Sequence, residues 1–331
     1  MKLLNTILAK CGLASISPAQ RNGRRNEFAI GIFMGTSPFD LVHSDSPPNP
    51  VLTYKDVSDV RASFVADPFM VHVDATWYMF FEVMNLSNRK GEIGLALSEN
   101  GTAWRYQEII LTESFHLSYP YVFQSEGVYY MIPETHKSSS VRLYRAKNFP
   151  YRWSFVQTLL SGGYFGDSSI FPHRNRWWMF SETNSEGKND TLRLYFADKL
   201  TGPWHEHPKS PVIQGNPHIA RPAGRVLVSA DRILRFTQDC FPRYGMQVRA
   251  FEIVDLTTRS YEEKEVSDNP ILGKGNAGAW NEAGMHHIDP HQVGENKWIA
   301  CVDGHRKVSV ADLDSASSNH TTNQNDDFFP R

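Results

Sequence analysis

Cysteine is scarce in this chain. Cys11, Cys240 and Cys301 are the three among 331 residues, odd in number and outside any CxxC spacing. Neither a disulfide framework nor a thiolate zinc site is indicated. An excess of one charge sign is also missing, since 34 Lys and Arg face 36 Asp and Glu for a formal net charge of −2. A nucleic-acid partner, which calls for a basic face, is therefore not expected. Long hydrophobic runs are absent too, and nothing approaches the roughly eighteen apolar residues of a membrane span. At the N-terminus, MKLLNTILAKCGLASISPAQ, Lys10 interrupts the apolar run after seven residues, which is short for an export signal. Leu3, Leu4, Ile7, Leu8 and Cys11 fall at helical spacing and predict a short amphipathic helix. The expected location is cytoplasmic.

What the chain has in quantity is aromatic and apolar residues, 12% and 40%, arranged in a repeat. Residues 63–83, SFVADPFMVHVDATWYMFFEV, read as a β-hairpin with a carboxylate near its start and another at its exit. YPYVFQSEGVYYMIPE from Tyr119 and DSSIFPHRNRWWMFSE from Asp167 repeat it, with looser copies from Arg221 and Asp289. Five copies at a spacing of about fifty residues predict an all-β fold, a five-bladed β-propeller.

Each blade continues with a third strand and a fourth, such as 92–98 followed by 104–111. The fifth repeat lacks outer strands after Asp303, and 28–35 (FAIGIFMG) is a strand without a hairpin. The expectation is that 28–35 supplies the third strand of the last blade and 50–54 its fourth. The ring is then closed by N-terminal strands and has no open edge. The expected domains are an N-terminal helix and linker over 1–26, the propeller over 27–310, and a polar, disordered tail over 311–331.

Antiparallel blade strands put the start of the first strand and the end of the second on one face. The starts are Asp67, Tyr119, Asp167, Arg221 and Asp289, and the ends are Glu82, Glu134, Glu182, Gln238 and Asp303. Seven of these ten are carboxylates, and innermost strands line the axis, so the set is expected to crowd one funnel. Crowded carboxylates carry desolvation and repulsion costs that mark functional groups. Any single Asp there is more simply a turn residue; the set in register points to a ligand. Asp239, Tyr244 and His287 join it as candidate ligand contacts, with Tyr119, Tyr164 and Trp280 as possible stacking faces for a sugar. The histidines of HHIDPH (286–291) do not match a recognised metal-ligand spacing, so no metal and no cofactor are expected.

FVADPFM, GEIGLALSENGTAW, HLSYPYVF, YYMIPET, VRLYRAKNFPYRW, FGDSSIF, WWMFSET, LTGPW and TQDC…YGMQVRAFEI occur here in order. Together they resemble the N-terminal domain of plant glucosamine inositolphosphorylceramide transferase, over about residues 64–254 and onward to Asp303. No match to that family's glycosyltransferase domain is present. More remotely, the chain resembles the five-bladed furanosidases of glycoside hydrolase family 43. That resemblance implies a general base at Asp67 and a pKa-tuning residue at Asp167. The position of the general acid holds Arg221, which cannot donate a proton near neutral pH. Glu134 is then the first candidate acid and Asp289 the second, while Glu82, Tyr119, Glu182, Arg221, Gln238 and Asp289 would contact substrate. Arg221 would suit an anionic group on a glycan or glycolipid head group. Two readings stay open, a glycosidase or transglycosylase and a non-catalytic glycan-binding module. A protein-interaction platform gives no reason for so many inward carboxylates.

Overall fold

The computed structural model describes residues 24–43, 48–229 and 232–309. The predicted N-terminal helix and C-terminal tail lie outside them. The fold is an all-β, five-bladed propeller. Its compact unit is Phe28–Arg306; the described residues beyond it, 24–27 and 307–309, are strand residues of a second unit. Among the described residues no helix is long and apolar enough to cross a membrane.

Four blades follow the chain. The first is Ala62–Val73, Thr76–Asn85, Lys90–Ser98 and Arg105–Leu111, paired in that order, and the second is Ser118–Ser125, Val128–Glu134, Ser140–Asn148 and Arg152–Ser161. The third runs Gly166–His173, Arg176–Glu182, Thr191–Ala197 and His205–Glu206. In the fourth, the innermost strand is broken into Arg221–Pro222 and Leu227–Val228, both pairing Ile233–Asp239, with Gln247–Leu256 and Tyr261–Glu265 outside. The last blade joins the two ends of the chain: Gly284–Gly294, Lys297–Ser309, then Arg24–Gly35 and Leu41–His43.

The closure differs from expectation in its fourth strand. Leu41–His43 pairs with 33–35, while the stretch at 50–54 contributes a bridge of Leu52 to Ile30. The intervening turn explains it, because Ser37 Oγ accepts the N–H groups of Phe39 and Asp40 and Thr36 Oγ1 donates to Asp40. The chain therefore reverses straight after Gly35 instead of at 50.

The apolar core is divided into wedges between blades. Phe80, Leu95, Val122, Met131 and Tyr144 fill the wedge of blades one and two. Ile30, Ile32, Leu52, Val65, Met70 and Phe81 fill that of blades five and one. Alternation explains the aromatic hairpins: in a strand, neighbouring side chains face opposite blades, so Phe80 and Phe81 enter different wedges.

The innermost strands of blades one to three share one local device. Asp67, Tyr119 and Asp167 have φ of 53°, 46° and 44°. At each the hairpin register shifts, between 66 and 69, 118 and 121, and 166 and 169. A bulge with a left-handed residue turns that side chain out of the ladder and toward the axis. Pro68 and Pro120 follow two of these residues, where the ladder needs no N–H.

Candidate functional site

Two of the bulges are fastened by a carboxylate of the preceding blade. The Asp67 N–H donates to Asp303 Oδ2 (2.9 Å) and the Asp167 N–H to Glu134 Oε2 (3.0 Å). These carboxylates lie on second strands, opposite the start of the first strand, at the position that Glu82 and Glu182 hold in blades one and three. Asp67, Glu82, Glu134, Asp167, Glu182 and Asp303 are all buried.

Arg221 lies among them. Its Nε donates to Asp167 Oδ2 (2.6 Å), its Nη2 to Glu134 Oε2 (3.1 Å) and its Nη1 to Asn189 (2.8 Å). Gln238 Nε2 adds a donor to Asp167 Oδ2 (2.8 Å). Glu134 Oε1 lies 2.5 Å from His136 Nδ1. Burial alone would raise Glu134, but His136 and then Arg221 outweigh it and hold the carboxyl well below its ordinary range. Asp167 is raised, because its burial exceeds what Arg221 offsets.

On the other side of Asp67 stands His286. Its Nδ1 is 2.5 Å from Asp303 Oδ1, and its Nε2 is 3.5 Å from Asp67 Oδ1. Burial pushes Asp67 up to about 7, against the pull of His286 and with the push of Asp303. Burial likewise raises Glu182 to about 7 and lifts Glu82, with Asp67 as the largest neighbouring charge. One donor atom from each of Asp67, His286 and Asp303 lies within 4.8 Å of the others. That spacing could admit a cation; His286 Nδ1 is engaged by Asp303, while its Nε2 faces Asp67 Oδ1 without a hydrogen bond.

Several oxygens here have no partner. Asp67 Oδ1, Glu82 Oε1, Asp167 Oδ1 and Glu182 Oε2 are buried without a hydrogen bond. Around them, Tyr244 is 37% exposed and stacks on the Arg221 guanidinium (5.3 Å) and edge-on to His286 (5.2 Å). Tyr164 lies 5.1 Å from His136. Both rings are partly exposed beside the buried carboxylates.

The structure brings Asp67, Glu82, Glu134, Asp167, Glu182, Arg221 and Gln238 together. Asp289 is elsewhere. It pairs with Cys301, two residues before Asp303 on the neighbouring strand, and its carboxylate takes Arg225 Nε (2.7 Å), the Met70 N–H (2.7 Å) and His291 (2.9 Å). His287 is the residue that pairs with Asp303, so Asp289 lies two residues beyond the start of the strand in blade five. Tyr119 is fully buried and cannot stack on a ligand; its hydroxyl meets Ser169 Oγ (2.8 Å) and donates to Gly224 O (3.0 Å). His287 is also fully buried, edge-on to Phe69 and Tyr119, with neither ring nitrogen bonded. Burial lowers it to about 4, so it forms a neutral floor. Asp239 folds the loop that carries Tyr244: it accepts from the Phe241 N–H and Gln247 and meets His218. Trp280 packs on the wedge of blades four and five. The residues missed in sequence are Asn189, His116 and His136; the latter two lie in HLSYP and PETHK, beside motifs already singled out.

Residues 21–305 match the family model described as glucosamine inositolphosphorylceramide transferase 1, N-terminal. The chain belongs to this family. Glucosamine inositolphosphorylceramide transferase 1 of Oryza sativa subsp. japonica is 35% identical over 301 residues, covering 85% of this chain and 40% of that protein. The Arabidopsis thaliana protein of the same name is 32% identical over 316 residues, 90% of this chain and 41% of its own length. The chain thus spans about two fifths of these relatives, the part that the family description places at their N-terminus. Among solved structures, the catalytic domain of the Coprinopsis cinerea GH62 α-L-arabinofuranosidase has TM-score 0.57 at 12% identity, over 77% of this chain and 95% of its own. The Listeria innocua β-1,2-mannobiose phosphorylase has TM-score 0.57 at 12% identity, over 81% and 96%. At such identity the likeness is one of fold, shared by this N-terminal family with carbohydrate-active propellers.

Proposed function

We propose that the axial opening takes a glycan or glycolipid head group and acts on its glycosidic bond, by hydrolysis or transfer. The observation that carries this reading is the set of buried carboxyl oxygens without partners on Asp67, Glu82, Asp167 and Glu182. Each unsatisfied buried group costs about 1–3 kcal/mol, and a hydroxyl-rich ligand would supply the missing donors. The name shared by the plant relatives, with its glucosamine and inositolphosphorylceramide, supports a glycolipid head group as the ligand class.

Glycoside chemistry needs a carboxylate to activate the attacking group and a carboxylic acid to protonate the leaving oxygen. Asp67, at about 7, is suited to the first role at neutral pH. Glu134 does not suit the second, because His136 and Arg221 keep it ionised. An acidic ligand held by Arg221 also loses support. All three guanidinium nitrogens are engaged by Asp167, Glu134 and Asn189, so an anion would have to displace them. A neutral, polyhydroxylated unit fits better.

The test is a glycan-array screen, followed by incubation of each hit with wild type and Asp67→Asn. The expected outcome is product from wild type and none from the variant, with binding kept within about tenfold, because general-base loss falls on the transition state. The second reading, a binding module, is favoured by Arg221 in place of an acid. It replaces the first if wild type binds a hit and leaves it intact.

A further inference from the structure

We propose that Asp67 and Glu82 are the reacting pair, with Glu82 as the proton donor to the leaving oxygen and His116 as its positioning residue. This rests on the catalytic reading above and supplies the acid that the Arg221 position lacks.

The axial carboxylates sort by what already holds them. Asp303 is bound by the Asp67 N–H and His286. Glu134 is bound by the Asp167 N–H, His136 and Arg221. Asp167 takes Arg221 and Gln238, and Glu182 takes the Asn184 N–H at 2.7 Å. Asp289 is held by Arg225 and Met70. In this set, among the described residues, the side-chain oxygens of Asp67 and Glu82 alone make no hydrogen bond. Imidazole nitrogens face them: His286 and His287 at 3.5 and 3.9 Å from Asp67, and His116 at 3.4 Å from Glu82.

Glu82 is released from a structural task its equivalents perform. Asp303 and Glu134 each fasten the left-handed residue of the next blade. Glu82 lies on the second strand of blade one, ahead of left-handed Tyr119 in blade two, and makes no such bond. It pairs with Ala66, so its carboxyl sits on the same hairpin as Asp67, one residue away in register. The two side chains are 7% and 6% exposed.

His116 is set to orient this acid. The Gly91 N–H donates to its Nδ1 (2.9 Å), so in the neutral ring the proton is on Nε2, which faces Glu82 Oε1. Burial lowers His116 to about 4, so the ring is neutral and leaves the acid its proton. Gly91 is required for the approach: a Cβ there would stand 2.8 Å from both Glu82 Oε1 and His116 Cε1.

In the step, the Glu82 proton passes to the glycosidic oxygen as the bond to the anomeric carbon breaks. A hydroxyl of water or an acceptor sugar attacks that carbon and gives its proton to Asp67. Solvent then returns the proton from Asp67 to Glu82.

The experiment compares 4-nitrophenyl glycosides with the matching methyl glycosides of the sugars found on the array, using wild type, Glu82→Gln, Glu134→Gln and His116→Phe. Glu82→Gln should slow methyl glycosides by about 100-fold or more and nitrophenyl glycosides by less than about tenfold, since a good leaving group needs no proton. His116→Phe should lower kcat for methyl glycosides with KM unchanged, and His116→Gln, which restores an N–H donor, should recover part of it. Glu82→Asp, which keeps the acid but shortens it, should fall between wild type and Glu82→Gln if the proton and not the fold is what was lost. Equal losses on both leaving groups, or the split appearing in Glu134→Gln instead, would overturn the assignment while leaving the catalytic reading in place. A wild type that cleaves none of the glycosides would remove both.

Discussion

At Asp67 two opposing influences meet, and their balance can be measured as stability. Burial outweighs the favourable charge of His286, so the folded-state pKa is about 7 against an ordinary 3.8. Between about pH 4 and pH 7 the folded protein keeps a proton that the unfolded chain has released. The contribution of Asp67 to stability therefore falls as pH rises through this window and is flat above it. Glu182, also near 7, acts in the same sense. Asp67→Asn has no such dependence. In urea titrations the variant should gain on wild type between pH 4.5 and pH 7.5, by on the order of 1–3 kcal/mol at one pKa unit per 1.36 kcal/mol. If wild type instead gains on the variant as pH rises, His286 holds the Asp67 carboxyl below its ordinary range, and the reading of Asp67 as a base poised near neutral pH is overturned.

Strands and hairpins carry the site, and they differ in how far the sequence discloses them. The second strands, carrying WYMFFE, YYMIPE and WWMFSE, declare Glu82, Glu134 and Glu182 because an apolar alternation followed by a carboxylate is a local feature. The bulges are not legible, since Asp67, Tyr119 and Asp167 adopt left-handed φ without being glycine, through bonds to distant blades. In blades four and five no left-handed non-glycine residue marks the strand start: Arg221 pairs directly with Gln238, and His287 pairs with Asp303 after a register shift at 285–287, so Asp289 is out of step. Which carboxylates would be bound and which free was likewise hidden, because Arg221 reaches across 54 and 87 residues to choose its partners. The break in the first strand of blade four rests on Gly224, with φ of 143°. A Cβ there would lie 1.7 Å from Ile288 O, beside the bond from the Ile288 N–H to Ala223 O (2.8 Å). Gly224→Ala should therefore force blades four and five apart and cost about 3 kcal/mol or more, at the upper end for single substitutions. It should also disturb Tyr119 and Ser169, whose hydroxyls donate to Gly224 O. A melt within about two degrees of wild type would show that the contact yields.

A propeller has no edge only if its last blade is completed, and here the ends of the chain complete it together. Arg24–Gly35 lies between Lys297–Ser309 and Leu41–His43, so without it the second strand of blade five would present a long unpaired edge. Apolar burial leads to the same dependence. Ile30 and Ile32 are 0% and 2% exposed in the wedge with Val65, Met70 and Phe81, and burying each such side chain stabilises by about 1.5–3 kcal/mol. The site depends on this closure as well, because Phe28 packs at 4.9 Å on His286, the ring that joins Asp303 to Asp67. Ring closure and the protonation of Asp67 should thus fail together. The test is to divide the chain between residues 43 and 48 and express 24–43 and 48–331 separately and together. The larger piece alone should aggregate or melt without a cooperative transition, and the pair should assemble, melt cooperatively and recover glycan binding. If 48–331 alone unfolds cooperatively and binds as wild type does, the N-terminal strand is an accessory and the coupling between closure and site is wrong.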